Sequence, residues 1–325
     1  MKLANLTNLA NLANSFSQHL LRHAAMLPLA CLLGLTSPTY ALDSSTANAA
    51  ATNKPVAATK GLFWEIKSGN KTVHLFGSIH IAKADFYPLP KAVQAAYQRS
   101  EVLAVELDAT DPGLQQKLAP HITYAPPDKL ENHLSPATWK QLNELTGPGA
   151  QAMQSFKPVI VATALSLGML QKMGYDNEAG IDLHFLKQAK ADAKRIQEFE
   201  TPEFQAQVLT SINDADSDAM LSYTLDAMKN GEMLQTIDAM VNAWRSGNAQ
   251  GLAKILREAS SKDPGSEKMM KALFDERNIL MTDKIIQLLQ SGKPAFIVVG
   301  AGHMAGPKSI VDLLQKKGIK VTQIK

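Results

Sequence analysis

The chain has 325 residues, 45% of them hydrophobic, with a formal charge of +3 and a single cysteine. That is enough apolar material for a sizeable core. The basic excess is too mild, and too scattered, to point to nucleic acid, and one thiol cannot build a disulfide framework.

Residues 1–41 read as an export signal. Lys2 and Arg22 flank a polar, Asn-rich leader, and Ala24 to Leu35 form an apolar stretch of signal-peptide length, far short of a bilayer span. Thr39-Tyr40-Ala41 offers small residues for cleavage after Ala41. Cys31 lies inside the apolar stretch behind Pro28-Leu29-Ala30, a poor lipobox, so the expected product is exported to the periplasm without a thiol or a stable membrane anchor. Residues 42–60, rich in Ala, Ser, Thr and Asn, read as a flexible lead-in, and the folded domain is expected over 61–325.

Phe63 to Ile66 and Thr72 to Phe76, separated by Ser68-Gly69-Asn70, predict a β-hairpin, and Gly77-Ser78-Ile79-His80 follows directly. Pro88 and Pro90 open a helix with Leu89, Val93, Ala96 and Tyr97 on one face; Val102 to Val105 form a short buried strand ending in Glu106. A mostly helical block then runs over about 111–292. Within it Ser135-Pro136 starts one helix, Pro158 to Met173 is apolar nearly all round and reads as a helix sunk in the core, and Ile181, Phe185 and Ala189 mark another. Arg195 to Glu200 fits a strand. Three apolar stripes follow: Met220, Leu221, Thr224, Leu225 and Met228; then Leu234, Ile237, Val241 and Trp244; then Met270, Phe274, Met281, Ile285 and Leu288.

Ala295 to Val299, bounded by Pro294 and Gly300, predict a strand buried on both faces, running into Gly300-Ala301-Gly302-His303. A helix over 307–317 and a closing strand over 320–324 complete the chain. The fold class expected is α/β, with a mixed central sheet built from the N- and C-terminal segments and a large inserted helical cap.

Strand followed by Gly-x-x-His thus occurs twice, at His80 and His303. Two imidazoles at the carboxyl ends of strands, with Glu106 ending a third, are a candidate divalent-metal site with open coordination positions. His74 alternates with core residues inside a strand, His121 and His133 lie in loop-like sequence, and His184 falls on the polar side of its helix; none of these is a candidate. Asp182 and Arg277 lie on apolar helix faces, where a charge needs a partner: each is half of a structural ion pair or faces the cleft, where Arg277 would hold a carboxylate or an oxyanion. Glu200, ending its strand before Thr201-Pro202, is either a second acid in the site or a favourable charge at a helix N-terminus. The spacing Gly300-x-Gly302-x-x-x-Gly306, with little chain after it, is a poor nucleotide loop.

In order along the chain, LFGSIHIAKADFYPLP, VELD at 105–108, GID at 180–182, ETPEFQ at 200–205, DERN at 275–278 and VVGAGHMAGP near the end resemble the TraB/PrgY/GumN family, over about residues 61–325. The resemblance implies an erythromycin-esterase-like and haem-binding ChaN-like fold. It also implies metal-dependent protease activity of the Tiki type, using His80, His303 and Glu106 with manganese or cobalt; zinc and iron stay open. Glu200, Arg277 and Asp182 match motif positions of less settled role. The expected activity is hydrolysis of a peptide or small-molecule substrate, with Glu106 as third ligand or general base and Arg277 and Glu200 orienting substrate or water. Some relatives inhibit peptide pheromones, so a non-catalytic binder of peptide or haem in the same cleft is the alternative, and esterase or lactonase chemistry is a third reading.

Overall fold

The structure, a computed structural model, describes residues 59–325. The expected signal segment and all but the last two residues of the lead-in lie outside them. Those two already belong to the fold: Thr59 is buried and the Lys60 N–H donates to the Arg245 carbonyl at 2.8 Å.

Six strands form one mixed sheet in the order β4-β3-β5-β2-β1-β6. The hairpin pairs β1 (Leu62–Ser68) with β2 (Lys71–Ser78), and Gly69 turns it with φ +59°, a conformation that costs a glycine little. β2, β5 (Ala295–Gly300), β3 (Val102–Val105) and β4 (Arg195–Glu198) run parallel; β6 (Lys320–Gln323) pairs antiparallel with β1 at the far edge. The apolar run Ala295 to Val299 is central and fully buried, as a strand covered on both faces must be.

The sheet is not built from the chain ends alone. β4 is the strand expected over 195–200, shortened to end at Glu198, but it joins the central sheet although it lies in the block expected to be an inserted helical cap; its residues are half-buried or exposed, as at a sheet edge. α6 (Ile181–Ala191), from the same block, packs Phe185 against Phe296 of β5 with ring centroids 4.8 Å apart.

The remaining helices among the described residues are α1 (Lys91–Arg99), α2 (Leu114–Ile122), α3 (Pro136–Thr146), α4 (Gly149–Ala152), α5 (Pro158–Lys172), α7 (Pro202–Leu209), α8 (Asp214–Asn230), α9 (Glu232–Arg245), α10 (Ala249–Ser260), α11 (Pro264–Ser291) and α12 (Ile310–Lys316). α5 is buried on nearly every side. Its polar groups are satisfied internally, the Thr163 and Ser166 hydroxyls donating to the Val159 and Ala162 carbonyls at 2.8 and 2.9 Å. None of the described helices is long and apolar enough to cross a membrane.

Two of the expected stripes are displaced. In α9 the buried face is Met233, Ile237, Met240 and Trp244 rather than Leu234 and Val241, and in the first half of α11 it is Met269 and Leu273 rather than Met270 and Phe274. α10 was not expected; Leu252, Leu256 and Ala259 bury its inner face behind an Asn248 cap. The last helix begins at Ile310 rather than 307, because Lys308 adopts φ +62° and Ser309 caps the helix by accepting from the Asp312 N–H.

Trp244 fastens the helical block to the sheet. It is fully buried, stacks on Phe86 at 5.5 Å, and its indole N–H donates to the Gly77 carbonyl at 2.6 Å, just where β2 ends. Trp244→Ala is expected to lower unfolding stability by about 3–5 kcal/mol through the cavity left behind, read from the midpoint of urea denaturation.

Candidate functional site

β2 and β5 pair in parallel with Ser78 opposite Gly300, so both chains leave the sheet side by side at its carboxyl edge. β3 lies on the other side of β5, with Val105 opposite Val298, which brings Glu106 level with the same edge. His80, His303 and Glu106, far apart in sequence, therefore share one location. The tightest measure of this is Gly300: a methyl group there would lie 3.2 Å from Glu106 Oε1, 3.4 Å from His80 Nε2 and 3.7 Å from His303 Cδ2.

Each of the three is held from behind. His80 Nδ1 lies 2.7 Å from Asp182 Oδ2, and the Ser78 hydroxyl donates to Asp182 Oδ1 at 2.6 Å. Asp182 reaches this point because α6 starts against the strand end. The Ile181 N–H donates to the Ile79 carbonyl at 3.0 Å, and a methyl group on Gly180 would come within 2.2 Å of the His80 carbonyl oxygen. His303 Nδ1 lies 2.6 Å from Asn278 Oδ1; with the amide oxygen as acceptor, Nδ1 carries the proton and Nε2 presents its lone pair.

Glu106 accepts from the Gly300 N–H at 2.6 Å on Oε1 and from Arg277 at 2.6 Å on Oε2. Arg277 is 1% exposed, and it also donates in a fork to Glu200 at 2.7 Å on each oxygen and to the Leu273 carbonyl at 3.0 Å. Gln205 completes the Glu200 shell at 2.9 Å. Of the expected residues, then, His80, His303 and Glu106 meet at one point; Asp182 stands behind His80, and Arg277 and Glu200 stand behind Glu106. Both charges expected to need partners have them.

Electrostatics separate the two histidines. Burial alone would lower His80, but contact with Asp182 outweighs it and raises the pKa to about 9, so in the metal-free protein the ring is an imidazolium at neutral pH. For His303 burial outweighs the attraction of Glu106 and, with the nearby charges of Arg277 and His80, pushes the ring down to about 3 and keeps it neutral. Burial opposes ionisation of Glu106, yet Arg277 and the Gly300 N–H help to hold it well below the ordinary carboxylate range. His303 Nε2 and Glu106 Oε1 thus face each other as two acceptors, 3.6 Å apart. In the metal-free protein the positive charges beside that pair are the His80 imidazolium and Arg277.

Among the described residues no group of three or more His, Cys, Asp or Glu side chains stands at metal-ligand spacing. The chemistry of the donor set suits a divalent ion all the same. Both rings are oriented through Nδ1, as ligating histidines are, and three carboxyl groups (Glu106, Glu200, Asp182) share the cluster with one permanent cation, Arg277.

The other histidines lie elsewhere. His74 stacks on Phe63 at 5.7 Å, and His184 sits against the Tyr87 ring at 4.9 Å. His133 is not partnerless: it stacks on Tyr124 at 4.1 Å and bridges Asp128 and Asp214 at 2.8 and 2.7 Å. Sequence reasoning missed Asn278 and Ser78 as site residues, although both stand inside quoted motifs, beside Arg277 and before Ile79-His80.

The chain matches the TraB/PrgY/gumN family over residues 62–323 and belongs to it. It is 26% identical over 251 residues to YbaP, an uncharacterised protein of Escherichia coli (strain K12), covering 76% of this chain and 89% of that one. It is 21% identical over 324 residues to the metalloprotease TIKI1 of Danio rerio, covering 83% of this chain and 64% of TIKI1. No solved structure matches it.

Two outcomes follow for the metal-free protein. Arg277→Met leaves two buried carboxylates without their cation and is expected to cost about 3–5 kcal/mol in urea denaturation. The His80 contribution to stability is full below pH 6.5 and is lost as pH rises through about 9, because the folded-state pKa is the raised one. Asp182→Asn is expected to lower the His80 pKa, measured by NMR titration of the ring, and to remove that alkaline loss.

Proposed function

We propose that this protein is an exported metal-dependent hydrolase acting on peptides, with His80 Nε2, His303 Nε2 and Glu106 as the ligand set. The observation that carries the reading is the convergence of those three side chains on one point beside Gly300. The likeness to a metalloprotease at 21% identity supports the reaction class and does not extend to a substrate. The erythromycin-esterase-like and ChaN-like arrangement is the fold-level form of the same proposal, and export rests on the reading of residues 1–41.

A divalent cation held there, manganese or cobalt by family resemblance, supplies Lewis acidity, which makes water a usable nucleophile at neutral pH and polarises a carbonyl. The chain supplies the rest. Asp182 and Asn278 fix both rings through Nδ1, so that Nε2 of each faces the centre. Glu106 places Oε1 3.6 Å from His303 Nε2 and acts as third ligand or proton acceptor. Arg277 and Glu200 act through Glu106: the guanidinium is spent on the two carboxylates and a backbone carbonyl, so they are positioning residues rather than substrate contacts.

Metal analysis of protein equilibrated with Mn2+ or Co2+ is expected to give one ion per chain for the wild type and none for His80→Ala/His303→Ala. Equal content in both would remove the metal role. Affinity is expected to increase with pH up to about 9, because the His80 imidazolium must give up its Nε2 proton to bind. Gly300→Ala, which crowds all three side chains, is expected to weaken metal binding with little change in unfolding midpoint.

A further inference from the structure

On the His80 side of the cluster lies a cavity of about 50 Å³ with almost wholly apolar walls. The helical block builds it: Leu170 comes from α5, Met240 and Val241 from α9, and Leu252 and Leu256 from α10. His80 and Gly302 close the end nearest the cluster.

We propose that this cavity is a specificity subsite that takes one short branched aliphatic side chain, of the Val or Leu kind, from a bound peptide; it rests on reading the neighbouring cluster as the hydrolytic centre. Size favours a short side chain. An engineered apolar cavity of about 150 Å³ takes benzene, so one of about 50 Å³ suits a small aliphatic group and not an indole. Chemistry sets the rest. The titratable groups on the wall are His80 and Tyr175; Nδ1 of His80 is already committed to Asp182 at 2.7 Å and the rest of the lining is almost wholly apolar, so a charged side chain entering there would give up its hydration for one phenol hydroxyl at most. Position gives the subsite its purpose. Gly302 separates the cavity from His303 by one residue, and His80 belongs to both, so a side chain seated in the cavity holds its own peptide bond beside Glu106 and His303.

The test separates binding from cleavage. Blocked amino-acid amides, N-acetyl-leucine, glycine, aspartate, phenylalanine and tryptophan N-methylamides, are titrated into the full chain and followed by NMR shifts. Separately, manganese-loaded protein is incubated with a peptide library and the new termini are sequenced. The leucine amide is expected to bind at least about tenfold tighter than the glycine amide, as a filled hydrophobic subsite requires. Val241 is only half-buried, so Val241→Phe fills the cavity with little risk to folding and is expected to abolish that preference. Leu252→Ala enlarges the cavity and is expected to shift preference towards the phenylalanine amide. Equal binding of the leucine and glycine amides, or a leucine preference that neither variant alters, would overturn the subsite. Selective binding without cleavage of any peptide would uphold the subsite and overturn the hydrolase reading; cleavage with no aliphatic preference would do the reverse.

Discussion

The site depends on the parallel register of β2, β5 and β3. Ser78 lies opposite Gly300 and Val105 opposite Val298, so three separate segments leave the sheet at the same level. Alternation has period two along a strand, so a slip of one residue would exchange the two faces of β5, set its side chains against the wrong neighbours and scatter His80, Glu106 and His303 together. Close packing against both faces of β5 opposes that slip. Core packing and site geometry are therefore one constraint.

The helical block completes what the strands begin. Asp182 of α6 and Asn278 and Arg277 of α11 all reach into the sheet edge, and each holds a group the strands present. A buried network of this kind is a weak source of stability, since well-packed apolar side chains of similar size often serve as well or better. Its worth lies in orientation. The same block walls the apolar cavity beside His80, so the helices both aim the polar groups and shape what lies next to them.

Much of this was legible in the sequence, for physical reasons. A β-branched run ending in glycines, as at 295–300, is a strong signal, and two strands each followed by Gly-x-x-His imply a shared edge. Partners across space were harder to read. Arg277 on an apolar face announced that it needed a counter-ion, but nothing in its neighbourhood said that Glu106 and Glu200 would both supply one. Asn278 is an ordinary polar residue until the His303 ring meets it. The faces of α9 and the start of α11 were misplaced because hydrophobic residues sit on both sides of the true stripe, and tertiary packing chose between them. A cavity, finally, is an absence left between α5, α9 and α10, and one-dimensional patterning has no signature for it.

The most direct measurement is anomalous diffraction from crystals equilibrated with Mn2+. The account predicts one strong peak within about 2.0–2.3 Å of Nε2 of both His80 and His303 and of one Glu106 oxygen. A map without a peak at that point, or with one touching neither ring, would contradict it.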